Sequence, residues 1–370
     1  MSTRDITNNR RLVRRSGGRS VGVAQSVYLP PRMSTEKGWW RREGTPKRGF
    51  RYAGLNGRKL TSPDTLARIR AMAIPPAWTD VHISPDPERK IQVWGRDQAG
   101  RKQYRYSAGH VEKVDRRKWN RVLKVARLLP ELRAATNAHL RRPTLDREKV
   151  HATVVRLMAR AYFRAGSERY AVENRTFGIC TLKKRHVRIH GHSLDFRYVG
   201  KQRKDQRQVV ADTPLVEIIE ELLSQKGTRL FKYRVPGGKY RPVTAASVNR
   251  YLREIVGERL TSKDLRTFGG TVRAATILAD IGPASSKSEA RRNVLLACKL
   301  VSSELGNTPA ICRRAYIHPA VLVKYEAGYT VTSPRRRRTK REVEAEEVEG
   351  LYPEEAALIR FLEKYGSLKG

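Results

Sequence analysis

The sequence is poor in cysteine and in long apolar runs. Its three cysteines, Cys180, Cys298 and Cys312, show no CxxC spacing, so they indicate neither a zinc site nor a disulfide framework. This pattern fits a reducing compartment. No apolar run approaches the length that spans a membrane, and the basic N-terminus lacks the apolar centre of a signal peptide. We expect a cytoplasmic protein, with an organelle-targeting peptide as the alternative to a flexible N-terminal arm.

Signatures of nucleotide and metal binding are also missing. The chain contains no Walker loop and no dense cluster of Asp and Glu that would hold paired Mg²⁺ ions. His190 and His192 flank Gly191 and could form a metal pair, but no carboxylate or cysteine supports that interpretation, and a polar hairpin turn is favoured. The sequence thus predicts no metal site, no nucleotide and no other cofactor.

Negative charge is scarce, since 36 Asp and Glu stand against 77 Lys and Arg, which gives a formal net charge of +41 over 370 residues. Such an excess attracts polyanions, speeds association with them and makes binding depend steeply on salt. We therefore expect a nucleic-acid partner. Because 39% of the residues are hydrophobic and five are Trp, the chain can also form one or two cores.

The pattern of residues changes along the chain and predicts an α+β fold with two domains. A stretch rich in Arg, Ser and Gly comes first, and short strand patterns separated by Gly, Pro and Asp turns follow. Helical spacing then dominates, interrupted by one strand-like stretch. The expected segments are a disordered basic arm (1–38), a β-rich module (39–115), a mainly helical domain with a small antiparallel sheet (116–330), and a basic then acidic tail with one short helix (331–370).

Local signals predict several boundaries. Ser62 is the expected N-cap of a short helix that Pro75 ends. Gly166 is a plausible C-cap for the helix that finishes in "YFRAG". The stretch 176–211 is expected to form strands, and helices are expected to resume near residue 214 and to continue to about residue 328.

Five polar residues lie where such local structure would present a side chain. Arg164 is placed at the end of a helix, Lys201 in the hairpin turn "YVGKQRKD" and Arg266 early in the helix of "TSKDLRTFGGT", which Thr261 or Ser262 is expected to cap. Asn307 follows the helix stop at Gly306 and is expected to help start the next helix, and Tyr316 comes later in the same stretch. Each has a plainer interpretation. The cations would be solvated surface charges, Asn307 a cap or turn residue, and Tyr316 a half-buried core aromatic or a phosphate contact.

A joint interpretation rests on the chemistry of phosphodiester cleavage without a metal. That reaction needs a nucleophile, a proton donor for the leaving alkoxide, and fixed positive charge for the phosphorane-like transition state. One Tyr, one Lys and two Arg supply these roles in that order. The nucleophile, core and phosphate-contact interpretations of Tyr316 remain open on this argument alone.

Four motifs resemble those of a known family. The stretches "FRAGSERYAVENRTFGICTLKKRHV", "FRYVGKQRK", "KDLRTFGGT" and "LGNTPAICRRAYIHP" are similar, in order and spacing, to the active-site motifs of type IB DNA topoisomerases. The likeness is to the compact form of poxviruses and bacteria, and it covers roughly residues 40 to 330. It implies the fold shared by tyrosine recombinases and these topoisomerases, with a DNA-binding N-terminal module, a catalytic domain and a monomer that clamps duplex DNA.

The resemblance also implies a role for each motif residue. Tyr316 would attack DNA and form a 3′-phosphotyrosyl link, Arg164 and Arg266 would bind the non-bridging oxygens of the scissile phosphate, and Lys201 would protonate the leaving 5′-oxygen. Asn307 stands where the poxvirus enzymes carry His, as in the bacterial branch, and an amide cannot become cationic.

Further positions match DNA-contacting residues of the family. They are Gln103, Tyr104 and Tyr106 in "GRKQYRY", together with Tyr170 and Lys263. The function implied is relaxation of supercoiled DNA without ATP or metal, in the nucleoid.

Two alternatives belong to other classes. A tyrosine recombinase shares the catalytic fold, but recombinases typically carry His three residues before the second Arg, where Lys263 stands here. Their N-terminal domain is also helical, whereas this one is expected to form strands. A non-catalytic DNA-packing protein would need the charge but not the ordered Arg, Lys, Arg and Tyr motifs.

Overall fold

The computed structural model of the protein describes residues 38–331 and 350–366. The expected basic arm, apart from its last residue, lies outside the described residues, and so do the basic linker and most of the acidic stretch of the tail. The described part of the chain falls into two compact units that divide between Val111 and Glu112.

The first unit is built on one antiparallel sheet of five strands in the order β2-β1-β3-β4-β5. Its small core consists of one helical and three strand residues, Ile69, Val81, Ile83 and Val93. The elements are β1 Trp40–Thr45, β2 Gly49–Ala53, α1 Pro63–Ala71, β3 Thr79–Ile83, β4 Ile91–Arg96 and β5 Lys102–Tyr106. The expected strand character of this region is confirmed.

Helix α1 starts as expected, because the Ser62 hydroxyl accepts a hydrogen bond from the Thr65 amide. The expected end at Pro75 was wrong, since the helix stops at Ala71. Ala73 adopts a left-handed backbone with φ 47°, and this conformation ends the helix before the proline is reached.

The second unit is mainly helical. Helix α3 lies at its centre, and Val150, Ala152, Val154, Leu157 and Met158 are completely buried. The helices are α2 Ala108–Leu140, which begins in the first unit, α3 Arg147–Ala161, α4 Glu168–Glu173, α5 Thr213–Ser224, α6 Ala245–Val256, α7 Ser262–Ile281, α8 Lys287–Leu305, α9 Pro309–Ala315, α10 Pro319–Glu326 and, after the undescribed stretch, α11 Pro353–Tyr365.

Helix α3 ends earlier than the sequence indicated, so two expectations were wrong. Tyr162, not Gly166, is the left-handed C-cap, with φ 54°, and its amide donates to the Met158 carbonyl. Arg164 therefore lies in extended chain beyond the helix. Gly166 has φ +83° and packs against Gly178, where a Cβ on either glycine would collide with the other's backbone.

The small antiparallel sheet expected in this unit is present. It has three strands in the order β6-β7-β8, which are β6 Val187–His190, β7 Ser193–Val199 and β8 Asp205–Ala211. His190 and His192 lie at the β6–β7 turn, as favoured. The strand expectation was wrong for residues 176–186, which form a loop with two short 3-10 turns.

Helices resume near residue 214 and continue to about residue 328, as expected, except for one hairpin that was not predicted. A short hairpin, β9 Lys232–Arg234 and β10 Tyr240–Pro242, separates α5 from α6. The turn residues "VPGGK" between its strands carry the signal that was missed, since Pro-Gly-Gly favours a hairpin turn.

The helix predicted near the C-terminus is α11, and it is part of the core of the second unit. Leu358 is completely buried, and Phe361 and Leu362 are nearly so. Arg133 of α2 forms a two-bond ion pair with the buried Glu355 carboxylate, at 2.7 and 2.8 Å. These contacts bind the segment from Gly350 onward firmly to α2.

No described helix combines the length and the apolar character needed to cross a bilayer.

Candidate active site

Helix α7 supplies the most buried functional residue of the second unit. A capping box starts the helix, because the Asp264 carboxylate accepts from the Thr261 amide at 3.0 Å. This confirms the expected start and places Arg266 in the first turns. Arg266 is only 4% exposed, and its Nη2 donates to the Leu305 carbonyl at 2.9 Å.

The end of helix α8 is where the two predicted arginines meet. Gly306 adopts a left-handed conformation with φ 61° and stops the helix, as expected from the sequence. The Leu305 carbonyl then accepts from Arg266, and the next carbonyl, that of Gly306, accepts from Arg164 Nη2 at 2.8 Å. Both carbonyls belong to the last turn of the helix, which carries partial negative charge.

Hydrogen bonds from a neighbouring loop fix the backbone at Arg164. The Ile179 amide donates to the Arg164 carbonyl at 2.8 Å, and the Cys180 amide donates to the Ala165 carbonyl at 2.9 Å. This close approach requires Gly178, since a Cβ there would lie 2.5 Å from the Arg164 carbonyl oxygen. These contacts, all within the motif "FRAGSERYAVENRTFGICTLKKRHV", fix the position of the Arg164 backbone and so the point from which its side chain extends.

Asn307 joins the same cluster through its side chain. Its Oδ1 accepts from Arg164 Nη2 at 2.7 Å, which turns the amide Nδ2 to the other side. That Nδ2 is buried and has no hydrogen-bond partner among the described residues, and the same holds for Nε of Arg266. The expectation that Asn307 helps to start α9 was wrong, because Thr308 is the N-cap.

Tyr316 is the residue that ends helix α9, and its amide donates to the Cys312 carbonyl at 2.9 Å. The ring is half-buried and packs against the core of the second unit. The Arg266 guanidinium carbon lies 5.5 Å from the centre of the ring. The structure thus brings Arg164, Arg266, Asn307 and Tyr316 together.

Electrostatic repulsion accompanies this arrangement. Burial and, after it, the neighbouring Arg164 cation lower the pKa of Arg266 to about 10, while Tyr316 and Tyr198 act in the opposite sense. Arg266 is still cationic at neutral pH. Two cations beside two unpaired donors form a site that an anion would stabilise strongly.

Lys201 is not joined to this cluster by any hydrogen bond. It lies in the β7–β8 hairpin, as expected, in a short 3-10 turn Lys201–Arg203, and it is exposed. The hairpin nevertheless reaches the site, because a Cβ on Gly306 would collide with the Gln206 amide of β8. The Lys201 ammonium makes no hydrogen bond or ion pair with the described part of the chain, so it is available to a ligand.

The residues expected to contact DNA lie in both units. In the first unit, Tyr104 and Tyr106 share one face of edge strand β5 with ring centres 6.2 Å apart, and Gln103 Nε2 donates to Asp97 at 2.9 Å. In the second unit, Tyr170 is 47% exposed on α4, and Lys263 is exposed in the first turn of α7.

Residues that the sequence did not single out hold the backbone at Tyr316. A Cβ on Gly270 would lie 2.9 Å from the Tyr316 carbonyl oxygen. The Thr271 hydroxyl accepts from the His318 amide at 3.1 Å and lies 3.3 Å from the same Tyr316 carbonyl. Lys118 donates to the Arg314 carbonyl at 3.0 Å. A glycine pair inside a helix costs stability and so indicates close packing, and "FGGT" carries that signal.

His318 stays outside the chemistry although it follows the tyrosine closely. It is 2% exposed, and its Nδ1 accepts from the Ala320 amide to cap α10. Burial lowers its pKa to about 4, with a smaller contribution from Lys118, so the ring is neutral at physiological pH. Among the described residues no three His, Cys, Asp or Glu side chains are grouped as metal ligands.

Comparison with known proteins agrees with this geometry. Residues 102–343 match the family model of the catalytic core of eukaryotic DNA topoisomerase I. Residues 49–97 match the N-terminal domain of bacterial DNA topoisomerase IB. The chain belongs to the type IB DNA topoisomerase family. It is accordingly an enzyme that relaxes supercoiled duplex DNA by transient cleavage and resealing of one strand, through a phosphotyrosyl intermediate.

Similar proteins occur in large DNA viruses. The DNA topoisomerase 1B of Acanthamoeba polyphaga mimivirus is 28% identical over 292 residues, which cover 77% of this chain and 87% of the viral protein. That of Vaccinia virus (strain Copenhagen) is 24% identical over 242 residues, or 62% and 70%. A DNA topoisomerase 1 of Rabbit fibroma virus is 25% identical over 279 residues, or 70% and 82%.

We expect the Arg164→Ala and Arg266→Ala variants to lose cleavage rate far more than affinity for DNA. Removing one preorganised charged contact to a transition state costs roughly 10²–10³-fold in rate. Affinity is spread over many phosphate contacts, so the loss of one changes it modestly. Single-turnover cleavage and equilibrium binding of one duplex measure the two effects.

The exposed Arg292→Ala variant on α8 is the matched control, and it should change neither quantity appreciably. Equal losses of binding and cleavage in the Arg164 and Arg266 variants would make these residues ordinary phosphate contacts.

Proposed function

We propose that Tyr316 is the nucleophile of the topoisomerase reaction and that the four residues grouped with it by sequence motif carry out the rest of the chemistry. The Tyr316 oxygen attacks the scissile phosphate and becomes joined to the 3′ end, while the 5′-oxygen leaves and takes up a proton. Religation is the same transfer in reverse. The phosphotyrosyl bond conserves the energy of the broken bond, so no nucleotide is required.

The observation that carries this proposal is the paired arrangement of Arg164 and Arg266 beside Tyr316. Two cations hydrogen-bond to consecutive carbonyls at the end of α8, and one of them lies 5.5 Å from the tyrosine ring. A phosphate placed between them would accept charge-assisted hydrogen bonds at its non-bridging oxygens. These bonds would strengthen as negative charge builds up in the transition state.

Asn307 adds a neutral donor to the same site. Its orphaned Nδ2 and the orphaned Nε of Arg266 would each gain a partner when a phosphate oxygen arrives, which removes an existing desolvation cost. Because an amide does not titrate, this position would contribute no pH dependence of the kind that a histidine gives. We assign the chain on this basis to the Asn-bearing branch of the family.

Lys201 is the proposed general acid. It is exposed at the turn of the β7–β8 hairpin. Its ammonium has no hydrogen bond or ion pair among the described residues, so it is free to give a proton to the leaving 5′-oxygen.

The remaining expectations concern DNA and assembly. Tyr104, Tyr106, Gln103, Tyr170 and Lys263 are proposed to contact the duplex, the rings by apolar contact with bases or sugars and Lys263 by its charge. Every proposed catalytic residue comes from one chain, so a monomer is sufficient. Such an enzyme would act wherever DNA is held, in the nucleoid.

We expect Tyr316→Phe to bind duplex DNA nearly as well as the parent and to form no covalent adduct. The change removes one oxygen and keeps the ring, so a packing role would cost only about 1 kcal/mol for a lost hydrogen bond, with activity surviving. Denaturant trapping of the DNA–protein complex, followed by mapping of the modified peptide, gives the answer.

Tyr329→Phe is the matched control, since that ring is 48% exposed and lies close in sequence. It should form the adduct at the parental rate. DNA attached to any tyrosine other than Tyr316 would overturn the assignment.

We expect Lys201→Ala to slow cleavage of a normal strand but much less of a strand whose bridging 5′-oxygen is sulfur. A thiolate leaves without needing a proton, so this substrate bypasses only the general acid. Single-turnover rates on the two substrates give the ratio. The neighbouring Lys204→Ala variant is the control and should treat both substrates as the parent does. An equal defect of Lys201→Ala on both would move the acid role elsewhere.

A further inference from the structure

A cavity of about 320 Å³ lies in the second unit, among α2, α3, α7 and the segment that leads into α11. It is separate from the Tyr316 cluster, although it touches the other side of α7 at Leu265 and Phe268. Tyr352 and Glu355 contribute to its lining from the C-terminal segment. Its volume is within the range of sites that hold small organic ligands.

Two buried donors in the lining have no hydrogen-bond partner among the described residues. One is Nδ2 of Asn137, a residue only 5% exposed on α2. The other is Nη1 of Arg156 on α3, whose side chain is 10% exposed. Buried donors in folded proteins are almost always paired, and an orphan costs about 1–3 kcal/mol. Two of them in one cavity indicate a ligand that offers acceptors.

One of these two donors belongs to a guanidinium, which makes its strongest hydrogen bonds with an anionic acceptor. The Asp212 carboxylate accepts a hydrogen bond from Nε of Arg156 at 2.7 Å and forms an ion pair with Nε of Arg160 at 2.8 Å, so two cations share one anion. Of the other charged groups in the lining, Arg133 and Glu355 neutralise each other in a two-bond ion pair. Glu354 is half-buried and has an interaction of its own.

The rest of the cavity is apolar. Leu129, Leu132, Val155, Phe268 and Val272 line it together with the ring of Tyr162. Walls of this kind accept a hydrophobic or aromatic body rather than a bare inorganic ion. The cavity therefore combines an apolar chamber with two buried unpaired donors, one of them on a guanidinium.

We propose that this cavity is a binding site for a small organic anion with an aromatic body and one carboxylate. The carboxylate accepts hydrogen bonds from Asn137 Nδ2 and Arg156 Nη1, and the ring lies against Phe268 and the neighbouring aliphatic residues. Because Tyr352 and Glu355 line the same cavity, the bound anion also fastens the C-terminal segment to α2 and α3.

Titration of the full-length protein with 2-naphthoate tests the proposal, with no DNA present. Calorimetry should show saturable one-to-one binding with a Kd of about 1 mM or tighter, the affinity expected for a ligand of this size. Its neutral analogue 2-naphthalenemethanol should bind at least about tenfold more weakly. Asn137→Leu keeps the size of the side chain, removes the donor and should weaken naphthoate binding about tenfold, the equivalent of one charged hydrogen bond.

Two further variants keep the test decisive. Ala159 lines the cavity from an exposed position on α3, so Ala159→Phe should block binding without disturbing the fold, even if Asn137→Leu were to unfold. Asn120→Leu, at an exposed position on the same helix as Asn137, should bind naphthoate as the parent does.

The absence of saturable naphthoate binding to the parent would overturn the proposal. Equal binding of the neutral analogue, or binding that neither Asn137→Leu nor Ala159→Phe weakens, would do the same. Because the readout is ligand binding in the absence of DNA, these results are independent of whether Tyr316 is the nucleophile.

Discussion

The cluster around Tyr316 depends on the last turn of helix α8. Two consecutive carbonyls there accept hydrogen bonds from Arg164 and Arg266, two cations that repel each other. Leu305 and Gly306 expose these carbonyls because the chain turns left-handed at Gly306. The partial negative charge of the helix end offsets the repulsion between Arg164 and Arg266 in the absence of substrate. The offset is incomplete, since the pKa of Arg266 is lowered to about 10 by burial and by Arg164. We propose that a scissile phosphate would complete the offset, and this difference would favour binding of the anion.

The same site shows which features a sequence can predict. The β-rich first unit, the α8 stop at Gly306 and the α7 start at Thr261 follow from local turn, cap and periodicity signals, and all are confirmed. The five catalytic candidates were grouped by the order of their motifs and their resemblance to a known family. Local patterns could not group them, because residues far apart in the chain give no short-range signal that they are in contact. The structure places four of them together, whereas Lys201 lies apart from them on its hairpin.

The remaining features depended on tertiary contacts that short-range patterns do not encode. Helix α3 ends at Tyr162 although Gly166 is the better local C-cap, because the carbonyls of Arg164 and Ala165 accept hydrogen bonds from the amides of Ile179 and Cys180. Gly270 and Thr271 hold the Tyr316 backbone from a helix distant in sequence. The orphaned donors of Arg156 and Asn137 become visible only when three helices and the C-terminal segment are assembled.

We propose that side chains alone supply the nucleophile, the proton donor and the charge that strand cleavage needs. Relaxation of positively and of negatively supercoiled plasmid by the purified protein, in EDTA without a nucleotide, tests this directly. Both plasmids should relax, because free rotation about the uncut strand is indifferent to handedness. Relaxation that begins only when Mg²⁺ and ATP are added would contradict the proposal.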